Sequence, residues 1–211
     1  MTDNIYIKII IVGDSGTGKT SIIERYVTNK FSNTKATVVP HFYNKIFKSN
    51  EKIYQINMWD IPGQDKVPIV TLQFAKDTQG IIYCCDATNI ETRNNLKSWD
   101  DGLKSKKDIE NISKIIVENK CDLLGDENNY NNDINSLRLF SQELGCKNYF
   151  RTSAKLGYNI DEAVEFLINQ IINDLKENDK NDKNDKNEHH EQNNNKKLSN
   201  IIYKKKYMKC C

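Results

Sequence analysis

From residue 5 the chain runs IYIKIIIV, an almost unbroken apolar block interrupted only by Lys8. Such a run predicts a strand over 5–12 that is covered on both faces, as in a parallel sheet. Further apolar or alternating blocks predict strands over 41–48, 53–59, 80–86, 113–119 and 147–151. The stretches between them carry helical spacing and predict helices over 19–28, 66–77, 91–106, 134–144 and 160–175. Only the polar link 49–52 joins two strand patterns directly, so it predicts a hairpin and the one antiparallel pairing. The expected fold is α/β: a six-stranded, mostly parallel sheet with one antiparallel hairpin strand and helices on both faces. Binding groups in such sheets gather in the loops that follow the strands' carboxyl ends.

The loop after the first strand, residues 13–20, reads GDSGTGKT. GxxxxGK[ST] between a strand and a helix is the context of a nucleotide phosphate cradle, set against an ordinary glycine turn as the plainer reading. Asp14, Ser15, Gly16, Thr17, Gly18, Lys19, Thr20 and Ser21 are therefore candidate nucleotide-binding residues. Glycines let backbone amides crowd around phosphate oxygens, Lys19 supplies a point charge, and the Thr20 hydroxyl suits magnesium.

Three more segments follow strand patterns: WDIPGQ at 59–64, NKCD at 119–122 and SAK at 153–155. The carboxylate of Asp122 suits the paired donors of guanine N1 and its exocyclic amine, a pair that adenine lacks. With the cradle, these motifs resemble those of the Rab family of Ras-type small GTPases, from about residue 5 to 173, and so imply a P-loop GTPase domain. The resemblance implies that Asn119, Lys120 and Leu123 brace or flank the base, that Ser153, Ala154 and Lys155 complete its pocket, and that the Ala154 amide meets the guanine oxygen. Phe31 stands where the family sets an aromatic against the base; an aromatic there serves a core equally.

By the same resemblance, Thr20, Thr37 and Asp60 hold Mg2+, Lys19 offsets phosphate charge, Gln64 orients the attacking water, and the Gly63 amide meets the γ-phosphate of GTP. GTP and GDP are then substrate and product, and loss of the third phosphate releases the two loops around Thr37 and Gly63. Phe42, Trp59 and Phe74 match an aromatic effector patch, with core packing as the alternative reading. The chain departs from the pattern in three places. ATVVPHF at 36–42 puts Val39 and Pro40 where the family has freer backbone, Pro62 removes an amide donor beside Gly63, and DKVPIVTLQFAKDTQG at 65–80 lacks the usual aromatic pair. Pro62 predicts slow intrinsic hydrolysis, and a GTP-loaded scaffold that scarcely hydrolyses is the alternative reading. WDI, NKCD and the run 148–167 look most like the subgroup tied to lysosome-related organelles.

Composition adds a second region. The 211 residues are 37% apolar, enough for one substantial core, and the overall charge of +2 hides an asymmetry. Residues 176–211 carry 10 Lys against 6 acids, and 177–197 contain no apolar residue. That stretch predicts a disordered tether, so the expected division is a GTPase domain over 1–175 and a variable tail over 176–211. From Lys196 onward lysines alternate with Ile201, Ile202, Tyr203, Tyr207 and Met208 and reach Cys210 and Cys211.

A basic end suits nucleic acid or an anionic membrane, and the paired cysteines favour the membrane. They are similar to the double geranylgeranylation site of Rab proteins, where two lipids anchor stably what one would not. No long apolar run is visible, so attachment is expected to be covalent. Cys84, Cys85, Cys121 and Cys146 lack metal-ligand spacing and read as buried small hydrophobes. The resemblance further implies an escort protein, docked by Ile201 and Ile202, a GDP-dissociation inhibitor, an exchange factor, a GTPase-activating protein and effectors. It places the chain on the cytosolic face of an intracellular membrane, with a soluble cytosolic pool. An ATP-using P-loop enzyme requires NKCD and SAK to be coincidences.

Overall fold

A computed structural model describes residues 5–32, 35–64, 73–105, 109, 112–125 and 130–178, with side chains from 136 in the helix that begins at 130. The chain divides into two compact units, Met1–Ile171 and Ile172–Cys211. Of the second, residues 172–178 are described and are helical. The predicted tail beyond them, with Cys210 and Cys211, lies outside the described residues.

The first unit holds strands β1 (Ile5–Val12), β2 (His41–Ser49), β3 (Lys52–Asp60), β4 (Gly80–Asp86), β5 (Ser113–Asn119) and β6 (Asn148–Arg151) in one sheet of order β2-β3-β1-β4-β5-β6. β2 pairs antiparallel with β3, and every other pairing is parallel, the predicted architecture. Its hairpin is tighter than the polar link suggested. Asn50 and Glu51 alone form the turn, with φ of 49° and 61°, the left-handed pair that matches the strands' twist. β2 is the sheet edge and alternates in exposure, whereas β5 is buried at all seven positions.

Helices are α1 (Lys19–Thr28), α2 (Ile90–Asn94), α3 (Leu96–Lys104), α4 (Tyr130–Glu143) and α5 (residues 160–178). One face of the sheet buries Ile10, Ile81, Tyr83 and Ile116 with Trp99 and Leu103 of α3. On the other, Gly80 lies so near Leu167 and Ile171 of α5 that a Cβ there would meet both. Helices thus cover both faces. No helix among the described residues is long and apolar enough to cross a membrane.

Three expectations need correction. The helix predicted over 91–106 is interrupted at Asn95, because the Asn95 side chain turns to the phosphate loop, a long-range bond that local periodicity does not encode. α4 begins at Tyr130 rather than 134, since its first turn, YNND, lacks an apolar repeat. Cys121 is only half-buried, unlike Cys84, Cys85 and Cys146, because it lies in the exposed 3-10 turn Cys121–Leu123. Of the helix predicted over 66–77, residues 66–72 lie outside the described residues, 73 and 74 are helical, and 75–77 form a turn.

Candidate functional site

The loops after β1, β3, β5 and β6 surround one cavity of about 550 Å³. Its lining contains Ser15, Gly16, Gly18, Lys19, Thr20, Ser21, Phe31, Thr37, Gly63, Asn119, Lys120, Asp122, Leu123, Ala154 and Lys155, all singled out from the sequence. Ser32, Lys35 and Ala36 line it as well and were not. Their only signal was adjacency to Phe31 and Thr37. Phe31 is 40% exposed at the cavity, not packed into the core.

At the phosphate loop, Gly18 adopts φ 93°, and a Cβ there would collide with the Asn119 side chain. Lys19, almost fully buried, donates through Nζ to the carbonyls of Gly13 at 2.9 Å and Asp14 at 2.8 Å. Two of its three ammonium donors therefore brace the loop and one remains for a ligand. Burial lowers its pKa from the ordinary lysine value, opposed by the nearby carboxylates of Asp60 and Asp14. The Asp14 side chain turns elsewhere: Oδ2 accepts from Asn95 Nδ2 at 2.7 Å and Oδ1 from Trp99 Nε1 at 2.9 Å. Thr17 is wholly buried, its hydroxyl donating to the Asp14 carbonyl.

Beside Lys19, three oxygens converge. Thr20 Oγ1 donates to Asp60 Oδ2 at 2.6 Å and lies 2.8 Å from Thr37 Oγ1, which itself reaches Asp60 Oδ2 at 3.2 Å. Asp60 is fully buried and its Oδ1 has no hydrogen-bond partner among the described residues. Burial raises its carboxyl pKa, against the hydroxyls of Thr20 and Thr37 and the charge of Lys19. A buried carboxylate with an orphaned oxygen beside two hydroxyls is a hard-oxygen donor set, and it fits Mg2+. No cluster of three or more His, Cys, Asp or Glu competes for a metal among the described residues.

Gly63 packs directly on the phosphate loop. Its carbonyl accepts from the Ser15 amide at 2.8 Å, and a Cβ would strike Gly13 O, Lys19 Nζ and the Asp14 backbone. Gln64 is exposed and is the last described residue before 73.

Asn119, also in the cavity lining, knits three loops together. Its Nδ2 donates to Thr17 O at 3.0 Å and its Oδ1 accepts from the Ala154 amide at 3.0 Å, so that amide, expected at the base, holds Asn119 here. Buried Ser153 donates through its hydroxyl to Asp122 Oδ1 at 2.6 Å. Lys120, left-handed at φ 67°, pairs with Asp86 at 2.5 Å, an acid that no motif connects to it.

Away from the cavity, Phe42, Trp59 and Phe74 stack in a row with ring centroids 5.1 and 4.8 Å apart. Trp59 and Phe74 pack against the core, as the alternative reading expected, whereas Phe42 is half-exposed.

Residues 8–173 match the model of the Ras family. Ras-related protein Rab-32A of Dictyostelium discoideum is 34% identical over 81% of this chain and 80% of its own length. Ras-related protein Rab-7L1 of Homo sapiens is 31% identical over 81% of this chain and 84% of its own. Ras-related protein Rab7 of Pisum sativum is 31% identical over 75% and 79%.

Proposed function

The chain belongs to the Ras family, among its Rab-related small GTPases, and from that premise we propose a magnesium-dependent guanine-nucleotide switch that hydrolyses GTP to GDP on an intracellular membrane. One observation carries this reading. Lys19, Thr20 and Thr37 line one cavity together with Asn119, Asp122 and Ala154, and Asp60 bonds both threonines beside it.

In this reading the third donor of Lys19 and the amides of residues 16–20 hold the phosphates, while Asp122, fixed by Ser153, receives the two guanine donors. Thr20, Thr37 and Asp60 would hold Mg2+, which would offset charge on the phosphates. Gln64 orients the attacking water and the Gly63 amide meets the γ-phosphate. Thr37 bonds both Thr20 and Asp60 directly, so the Thr37 loop rests on the magnesium site and its order depends on what fills that site.

Pro62 favours a slow intrinsic rate, because it stiffens the backbone between Asp60 and Gly63 where the loop must move. It also motivates the second reading, a GTP-binding scaffold with negligible hydrolysis. The proposed division is a GTPase domain over 1–175 and a tail over 176–211, with prenyl groups on Cys210 and Cys211 anchoring the latter. An escort protein, a GDP-dissociation inhibitor, an exchange factor, a GTPase-activating protein and effectors belong to the proposal.

Calorimetry of the full chain with GDP, GTP and ATP tests it. Magnesium-dependent affinity for guanine nucleotides, with ATP at least a hundredfold weaker, is expected; equal or tighter ATP binding overturns it. Single-turnover phosphate release then separates switch from scaffold, and Pro62→Ala is expected to speed release if the proline is the brake. Imaging full-length protein beside one lacking Cys210 and Cys211 tests the anchor.

A further inference from the structure

Glu118 and Arg151 are register partners at the ends of β5 and β6, one residue before Asn119 and two before Ser153. Both are more than nine-tenths buried. Arg151 Nε donates to Glu118 Oε2 at 2.7 Å and lies 2.9 Å from the Tyr149 hydroxyl, which itself donates to the same Oε2 at 2.5 Å. Arg93 of α2 approaches Oε1 at 3.8 Å. One carboxylate thus gathers groups from β6 and α2 onto β5.

Taking two charges out of water is costly before they pair, and apolar residues of similar size commonly serve stability as well or better. An ion pair here therefore demands an explanation other than cohesion, and its position supplies one. The groups that face the base hang from these two strand ends. Two contacts cross the same seam just beyond the pair: Ala154 N to Asn119 Oδ1 at 3.0 Å and Ser153 Oγ to Asp122 Oδ1 at 2.6 Å. The main chain crosses it too, from Thr152 N to Glu118 O at 2.8 Å and from Cys121 N to Thr152 O at 3.1 Å. Hydrogen bonds of this length tolerate little displacement, so the separation of the strand ends decides where the Asp122 carboxylate sits.

We propose that Glu118 and Arg151 are positioning residues that set the orientation of Asp122 and thereby the discrimination of guanine from other purines. The inference rests on the base-binding reading of Asp122. The pair acts through Ser153, Ala154 and Asn119 and touches no ligand itself. Its directional bonds fix register and angle, which an apolar contact at the same place would leave free to slide.

The test compares GDP with inosine diphosphate, which lacks the exocyclic amine, for the full-length protein in magnesium. Wild type is expected to prefer GDP. Glu118→Gln and Arg151→Gln are each expected to weaken GDP at least tenfold while leaving inosine diphosphate nearly unchanged, so the preference shrinks. The exchanged double variant Glu118→Arg/Arg151→Glu is expected to recover part of it, which a loss of general stability would not do. Ile7→Ala, a core truncation on β1, which pairs with neither β5 nor β6, controls for stability and should leave the ratio intact. Where a Gln variant does not fold, Glu118→Asp and Arg151→Lys replace it, with a smaller loss of preference expected. Destabilised variants that keep the wild-type ratio within twofold overturn the inference. A wild type that binds GDP no better than inosine diphosphate overturns the base reading itself, and the positioning role with it.

Discussion

Trp99 Nε1 donates a 2.9 Å hydrogen bond to Asp14 Oδ1, tying a fully buried indole on α3 to the one acid in the phosphate loop. An unneutralised carboxylate beside bound phosphates would repel them. Trp99 and Asn95 satisfy it, and Asp14 is not among the residues that line the cavity. Hydrogen bonds to charged groups contribute about 1.5–3 kcal/mol. A double-mutant cycle of Asp14→Ala and Trp99→Phe, read by urea unfolding, should give a coupling in that range. A coupling near zero would show that the two side chains act independently.

Gly63 has no room for a methyl group, because its Cα faces the Gly13 carbonyl, Lys19 Nζ and the Asp14 backbone together. Two of those neighbours are backbone and cannot yield like a flexible side chain. Gly63→Ala should therefore displace either the loop or Lys19 from its carbonyls. The expected outcome is a fall in GTP affinity of at least tenfold with a smaller loss for GDP, measured by displacement of a fluorescent guanine nucleotide. Equal affinities in the variant and wild type would contradict the packing.

The parts of this fold carried by local pattern were readable in advance. β1, with its unbroken apolar run, α1 and β4 begin and end where periodicity puts them, and the cavity gathers motifs dispersed over 140 residues. What escaped is held by contacts between distant residues. The break at Asn95 reflects a bond to a residue 81 positions away, and the Lys120–Asp86 pair joins the loop after β5 to the end of β4. Lys114 and Glu118 break the apolar rhythm of β5, and nothing local marks them as buried; their partners Asp100 and Arg151 lie on other elements. Such pairings depend on which elements the fold brings together, and periodicity is silent about that.

Asp100 is 1% exposed and accepts from Tyr83 at 2.7 Å, while Lys104 and Lys114 approach at 2.6 and 3.3 Å. Breaking a buried pair leaves an uncompensated charge, here Lys114, at about 3–5 kcal/mol. Burial pushes the Asp100 carboxyl up, but Lys104, Tyr83 and Lys114 together hold it below the ordinary aspartate value. A carboxyl depressed in the folded state adds stability above its unfolded value, and that stability fades as pH falls toward the folded one. Asp100→Asn should therefore lower Tm clearly at pH 7, with the difference narrowing below about pH 4. A constant difference across that range would show that the charge is not what stabilises.

Thr20, Thr37 and Asp60 share one carboxylate oxygen, and the other, Asp60 Oδ1, is buried without a partner. An unsatisfied buried acceptor costs about 1–3 kcal/mol, more when charged, and a cation held there would relieve it. Asp60→Asn keeps the shape and removes the charge. Wild type should release GDP at least tenfold faster when EDTA withdraws magnesium, whereas Asp60→Asn should release it quickly with or without the chelator. Thr20→Ala should behave similarly, because it removes the hydroxyl that joins the phosphate loop to Asp60. Stopped-flow loss of a fluorescent GDP analogue reads all three proteins. If Asp60→Asn keeps the full EDTA response, the metal is held elsewhere and the assignment of these three oxygens fails.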